Sequence, residues 1–99
     1  MSTELASRID TSFHFAQPKK YKVVLLNDDL TPMEFVVAIL VNIFNKSEAE
    51  ANQITLAVHE SGSGIAGIYN YEVAEQKAHE ATNASRSSGF PLALKVEEE

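Results

Sequence analysis

The sequence predicts an α+β domain in which a three-stranded sheet is combined with three helices, in the order β-α-α-β-α-β. Apolar, β-branched runs of strand length occur at three separated places. A helix-capping pattern stands at the start of each segment that has helical periodicity. The length of 99 residues is enough for one domain with a single modest core.

The chain opens with a segment that has no sustained periodicity. Residues 1–20 follow neither helical nor strand spacing and contain Pro18, which predicts a flexible N-terminal arm. The folded core is therefore expected over residues 21–99. It starts with the run YKVVLLN at residues 21–27, which is typical of a strand buried on at least one face.

The first helix is predicted from its capping pattern. In the segment Thr31-Pro32-Met33-Glu34, the threonine is expected at the N-cap and the proline at the first helical position, where its missing N–H costs nothing. Glu34 would complete a capping box. Apolar residues at helical spacing then continue the helix to about Asn45.

The same pattern returns at Ser47-Glu48-Ala49-Glu50 and predicts a second helix. This helix is expected to end near His59 or Glu60, because Gly62 and Gly64 follow.

The remaining elements follow in quick succession. A short strand is predicted over residues 64–71, and Asn70 can cap a third helix over residues 71–87. Gly89 ends that helix, and the segment PLALKV at residues 91–96 forms the last strand.

Composition narrows the class of protein. Hydrophobic residues make up 44% of the chain and charged residues 22%, which is ordinary for a soluble domain. The absence of cysteine excludes disulfides, thiol catalysis and thiolate metal sites. A net charge of −6 argues against nucleic acid as a partner, and no apolar run is long enough to cross a membrane. A cytoplasmic protein is therefore expected.

The candidate functional residues are Asn27, Asp28 and Asp29 at the end of the first strand, together with His59 at the end of the second helix. Asp and Asn runs are common turn formers, so a structural role is one interpretation. A metal site with two carboxylates and one histidine is a second. The third is a site for an ammonium group, because amide, carboxylate and neutral imidazole can all accept its hydrogen bonds.

Apolar residues border this polar cluster along the sequence. Leu26 precedes it, Met33 and Val36 lie on the first turns of the following helix, and Val58 adjoins His59. An acceptor cluster beside an apolar pit would select a peptide with a free α-amino group and a large hydrophobic first residue.

Four segments give the chain a resemblance to a known family. The segments YKVVLLNDDLTPMEFVV, LAVHESGSGIAGIY with VAEQKAHEA, and FPLAL resemble ClpS, the adaptor that recognises N-degrons for the Clp protease. The resemblance covers residues 21 to about 96. It implies a non-catalytic, monomeric adaptor without a cofactor, which binds proteins starting with Phe, Tyr, Trp or Leu. Its partner would be the N-domain of a AAA+ unfoldase of the ClpA or ClpC type.

The resemblance also implies roles for individual residues. The α-amino group and first peptide unit would be held by Asn27, His59 and one or both of Asp28 and Asp29. The implied lining of the side-chain pocket is Leu26, Thr31, Met33, Val36, Thr55, Val58 and Leu92. Met33 would act as a gate against β-branched side chains. Glu72 and Lys77 match a surface that docks to the unfoldase, and the N-terminal arm would serve delivery.

One pocket position departs from the family pattern. Many members have methionine where this chain has Thr55, four residues before His59 and so on the same helical face. Because threonine is smaller and lacks the adaptable thioether, we expect altered tolerance in the pocket, with aromatic first residues favoured over leucine.

Two other classes of function are compatible with parts of the sequence. A small metal-dependent hydrolase could use Asp28, Asp29 and His59, although the chain offers no second base or oxyanion device. An interaction module without a peptide pocket could bind through the sheet edge or the third helix.

Overall fold

The computed structural model describes residues 18–99, so most of the predicted arm over residues 1–20 lies outside the described residues. The elements follow the predicted order and form one three-stranded sheet with three helices. They are β1 (Tyr21–Leu26), α1 (Met33–Asn42), α2 (Glu48–Ser61), β2 (Ser63–Tyr69), α3 (Tyr71–Ser87) and β3 (Ala93–Glu98). The predicted α+β fold class is confirmed.

The sheet is antiparallel and has β1 at its centre, between β2 and β3. Side chains alternate between the faces of a strand, and Val23 and Leu25 of β1 are fully buried on the same face. Their partners on β3, Val96 and Leu94, pack against the same core. The register between β1 and β2 shifts near Ala66, which marks a bulge in β2.

The helices cover the buried side of the sheet in a fixed arrangement. α1 packs against α2, α2 packs against β2, and α3 contacts all three strands. Leu40 of α1 and Ala51 of α2 are fully buried in the common core, as are Ala74 and Ala81 of α3. The loop between β1 and α1 therefore lies beside the C-terminal half of α2.

The predicted start and end of the first helix need correction. Pro32, not Thr31, is the N-cap of α1, and no side chain caps this helix. The reason is local: the Thr31 hydroxyl donates to Asp28 Oδ2 at 2.9 Å and is held in the loop. At the other end α1 stops at Asn42, before the predicted Asn45, which adopts a left-handed φ of 57°.

The capping patterns of the other two helices are confirmed. Ser47 Oγ accepts a hydrogen bond from the Glu50 amide, and the Glu50 carboxylate accepts one from the Ser47 amide, both at 3.1 Å. Asn70 Oδ1 accepts from the Val73 amide at 2.9 Å and caps α3. The bonds to the Glu50 and Val73 amides satisfy donors that a helix start leaves without partners, and only the Ser47–Glu50 pair is reciprocal.

Two glycines shape the turn from α2 into β2. Gly62 ends the helix with φ of 92°, a conformation that other residues rarely adopt. Gly64 lies in β2, within the strand predicted over residues 64–71. A Cβ atom there would come within 2.8 Å of Val58 Cγ2, so glycine allows β2 to pack closely on α2. Val58 is thereby fixed at the back of the site described below.

Candidate functional site

A cavity of about 300 Å³ opens between the β1–α1 loop, the start of α1 and the C-terminal half of α2. Its walls combine the polar cluster predicted at the strand end with apolar residues from both helices. The lining residues are Asn27, Asp28, Asp29, Thr31, Pro32, Met33, Val36, Thr55, Val58 and His59. Residues more than 20 positions apart in the sequence therefore form one site.

A backbone hydrogen bond joins the two polar segments. The Asn27 amide donates to the Gly62 carbonyl at 2.9 Å, which ties the end of β1 to the end of α2. His59 lies in the last turn of α2, three residues before Gly62. The bond therefore holds the backbone of Asn27 next to the helix end that carries the imidazole.

The two aspartates have different surroundings. The Asp28 carboxylate accepts hydrogen bonds from the amides of Leu30 (2.8 Å) and Thr31 (2.7 Å) and from the Thr31 hydroxyl. Asp29 is exposed and has no side-chain hydrogen bond within residues 18–99. Asp28 thus accepts the hydrogen bonds that shape the loop, whereas none of residues 18–99 donates a hydrogen bond to the Asp29 side chain at the cavity.

The pKa of the Asp28 carboxyl group is lowered by its surroundings. Partial burial raises its pKa, but the hydrogen bonds from Thr31 and Leu30, together with the charge of Arg86, outweigh this effect and hold the pKa below its usual value. Its negative charge therefore adds to that of Asp29 and makes the mouth of the cavity attractive to a cation.

The inner wall of the cavity is buried. Val36, Thr55 and Val58 are each 5% exposed or less, whereas Asn27 and His59 at the mouth are exposed. Met33 is 43% exposed and stands at the rim, at the first position of α1. The cavity thus has hydrogen-bond acceptors outside and mainly hydrocarbon inside.

Two of the residues expected in the pocket do not line this cavity. Leu92 is 1% exposed and belongs to the core, and Leu26 pairs with Ser63 and Ala93 in the sheet. Leu92 was expected in the pocket only from the family resemblance, and Leu26 also from its place next to Asn27. Neither argument separates a pocket wall from the core behind it, because both are apolar.

Sequence reasoning missed one further lining residue of the cavity and one residue that affects the site from outside it. Pro32 was assigned only to the helix start but lines the cavity. Arg86, in the last turn of α3, donates to the carbonyls of Phe90 (3.0 Å) and Leu92 (2.9 Å). Its positive charge also lowers the pKa of Asp28. A basic residue at a helix C-terminus was the available signal for Arg86.

The two residues expected at a docking surface lie on α3, away from the cavity lining. Glu72 is exposed in the first turn. Lys77 is half-buried, and its ammonium group donates to the Ile43 carbonyl at 2.8 Å, where α1 ends. Its nitrogen also lies 5.6 Å from the centroid of the Tyr69 ring. Lys77 therefore stabilises the contact between α3 and the end of α1, in addition to any role at the surface.

Neither a metal-binding cluster nor a membrane-spanning helix occurs in the part of the chain that the structure describes. Among residues 18–99, no three His, Asp or Glu side chains are grouped so that they could hold a metal ion. No helix in this range is long and apolar enough to cross a membrane.

Comparison with known proteins identifies the family. The family model for the ATP-dependent Clp protease adaptor protein ClpS matches residues 16–95. The chain belongs to the ClpS family. ClpS of Campylobacter jejuni is 50% identical over 84 residues, which cover 85% of this chain and 88% of that protein. ClpS of Treponema denticola is 48% identical over 83 residues, 84% of this chain and 82% of the relative.

A solved structure of the ClpS family has the same fold. ClpS2 of Agrobacterium tumefaciens, bound to L-phenylalaninamide, superposes with a TM-score of 0.81 at 42% identity. The match covers 84% of this chain and 100% of that chain. The ligand of that relative carries a free α-amino group and an aromatic side chain.

Proposed function

We propose that this chain is an adaptor that binds proteins by a large hydrophobic or aromatic first residue and delivers them to a AAA+ Clp unfoldase for proteolysis. The observation that carries the proposal is the cavity itself, which has hydrogen-bond acceptors at its mouth and an apolar interior. The first residue of a peptide carries an ammonium group and a side chain on the same Cα atom, so it matches both parts of the cavity at once.

The α-amino group is proposed to bind Asn27, Asp29 and His59. A protonated α-amino group has three N–H donors, and the amide oxygen, the carboxylate and a neutral imidazole nitrogen supply three acceptors. Asp28 would contribute its charge and hold the loop, since its oxygens already accept three hydrogen bonds. The loop geometry thus favours Asp29 over Asp28 as the direct partner.

The side chain of the first residue is proposed to enter the apolar interior beside Val36 and Val58. A cavity of about 300 Å³ is large enough for one aromatic side chain. Met33 at the rim would then close over it and act as the gate against β-branched first residues. Phe, Tyr, Trp and Leu are the proposed first residues.

The expected affinity suits a protein that must release its cargo. Two or three charge-assisted hydrogen bonds give about 1.5–3 kcal/mol each, and burial of one large side chain adds roughly 1.5–3 kcal/mol. The sum of about 5–12 kcal/mol, before ordering costs, corresponds to binding near the micromolar range. The ligand of the related ClpS2 supports the same chemistry, because L-phenylalaninamide offers an ammonium group and a phenyl ring.

Delivery is proposed to use parts of the chain outside the cavity. Glu72 and Lys77 of α3 would contact the N-domain of a ClpA- or ClpC-type unfoldase, and residues 1–20 would act as an arm beside the core of residues 21–99. The chain would work as a cytoplasmic monomer and catalyse no reaction itself. The exposed position of Glu72 supports the docking role.

A reconstituted degradation assay tests delivery. With the purified unfoldase and peptidase, the chain is expected to accelerate the degradation of a reporter that starts with Phe, but not of the same reporter starting with Ser. Glu72→Gln is expected to slow this delivery severalfold without changing the affinity for a Phe peptide, because the residue lies away from the cavity.

Glu48→Gln is the matched control, since Glu48 is also an exposed acid in the first turn of a helix. It should behave as wild type. If both variants delivered the reporter equally well, Glu72 would not be part of the docking surface. If the wild-type chain failed to accelerate degradation of the Phe reporter, the adaptor function would be contradicted.

A further inference from the structure

Thr55 has a buried hydroxyl group without a hydrogen-bond partner. The residue is 3% exposed on α2, and its Oγ1 atom finds no donor or acceptor within residues 18–99. A buried hydroxyl group in a helix usually has a partner. The fully buried hydroxyl of Ser85 on α3, for example, donates to the Ala81 carbonyl one turn earlier, at 2.7 Å. Buried polar groups are rarely left unpaired, since this costs free energy. The exception at Thr55 lies in the wall of the cavity.

The position of Thr55 sets which part of a ligand can reach it. Thr55 precedes His59 by one helical turn on the same face of α2, a separation of roughly 5–6 Å between Cβ atoms. His59 is exposed at the mouth, whereas Thr55 is buried in the interior. A first residue with its α-amino group beside His59 would therefore direct the far end of its side chain towards Thr55.

Few side chains offer a polar atom at that depth. Phenylalanine and leucine end in carbon, whereas tyrosine ends in a hydroxyl that can both donate and accept. The indole N–H of tryptophan lies closer to the backbone than the tip of its ring. Thr55 Oγ1 is covered in the empty cavity, but threonine in a helix has two accessible χ1 rotamers. The proposed contact therefore requires a rotation about χ1 that turns the oxygen towards the ligand.

We propose that the Thr55 hydroxyl is a specificity determinant that hydrogen-bonds the phenol of an N-terminal tyrosine. The inference rests on the proposed function, because it takes the α-amino group at the mouth as given. It adds a polar contact to an otherwise hydrocarbon wall formed by residues such as Val36 and Val58. The contact satisfies a buried oxygen that a phenylalanine side chain leaves unpaired.

Paired peptides that differ only in Tyr or Phe at the first position test the inference. Thr55→Val replaces the hydroxyl by a methyl group of the same shape, and Thr55→Ser keeps the hydroxyl as a control. The ratio of Tyr to Phe affinity is expected to fall about 3- to 10-fold in Thr55→Val, through weaker Tyr binding, and to stay near wild type in Thr55→Ser.

Other results would overturn the inference. They are an unchanged Tyr-to-Phe ratio in Thr55→Val, an equal loss for both peptides, or a loss confined to a Trp peptide, which would assign the hydroxyl to the indole. If any of these results is seen while free Phe peptides still bind better than N-acetylated ones, the role of Thr55 is rejected and the proposed function is kept. If neither the Tyr nor the Phe peptide binds the wild type, both fail.

Discussion

Replacing Asp29 by alanine is expected to weaken the binding of a Phe-first peptide by about 10- to 100-fold, because one charge-assisted hydrogen bond to the ammonium group is lost. Asp29 is exposed and makes no side-chain hydrogen bond among the described residues, so its removal should leave the melting temperature nearly unchanged. Fluorescence anisotropy of a labelled peptide and a thermal melt measure the two effects.

The neighbouring Asp28 provides the comparison. Asp28→Ala removes the acceptor of three hydrogen bonds in the loop, two from amides and one from the Thr31 hydroxyl. We expect this variant to melt at a lower temperature and to lose affinity as a result of the altered loop. If Asp29→Ala bound like wild type, and Asp28→Ala lost binding without any change in stability, the roles assigned to the two carboxylates would be reversed.

Leu92→Ala is expected to reduce the free energy of unfolding by about 2–5 kcal/mol, because Leu92 is 1% exposed and its removal leaves a cavity in the core. Single domains are typically stable by only about 5–15 kcal/mol, so this loss is large. Urea denaturation followed by circular dichroism measures it.

Peptide binding separates a core role for Leu92 from a pocket role. In conditions where Leu92→Ala is folded, its affinity for a Phe peptide should match that of wild type, since Leu92 does not line the cavity. Leu56→Ala is the control, because Leu56 is 48% exposed on α2 and should change stability by less than about 0.5 kcal/mol. A large loss of affinity in Leu92→Ala with unchanged stability would place the residue in the pocket.

Much of the fold was predictable because its signals are local. The capping box at Ser47 and Glu50, and the cap at Asn70, depend on residues three positions apart, so the sequence contains both partners. The predicted cap at Thr31 also depends on nearby residues, but this prediction was wrong. The Thr31 hydroxyl donates to Asp28 and its side chain is held in the loop, a contact that the capping pattern does not include.

The candidate site was less accessible to sequence reasoning. Spacing marked Asn27 and His59 as candidates, but their approach depends on the Asn27–Gly62 backbone bond between distant segments. The different environments of Asp28 and Asp29 also require the loop conformation, since adjacent aspartates look equivalent in a sequence. Arg86 of α3 donates to the Leu92 carbonyl and its charge lowers the pKa of Asp28, and no periodicity indicates that effect.

The central claim is that the polar mouth of the cavity binds a free peptide α-amino group. The most direct measurement is the anisotropy of a labelled Phe-first peptide compared with its N-acetylated twin on the wild-type chain. Acetylation removes the positive charge and two donors but leaves the phenyl ring, so we expect the affinity to fall by about 100-fold or more. Equal affinity of the two peptides would contradict the account, because the acceptors at the mouth would then contribute nothing to recognition.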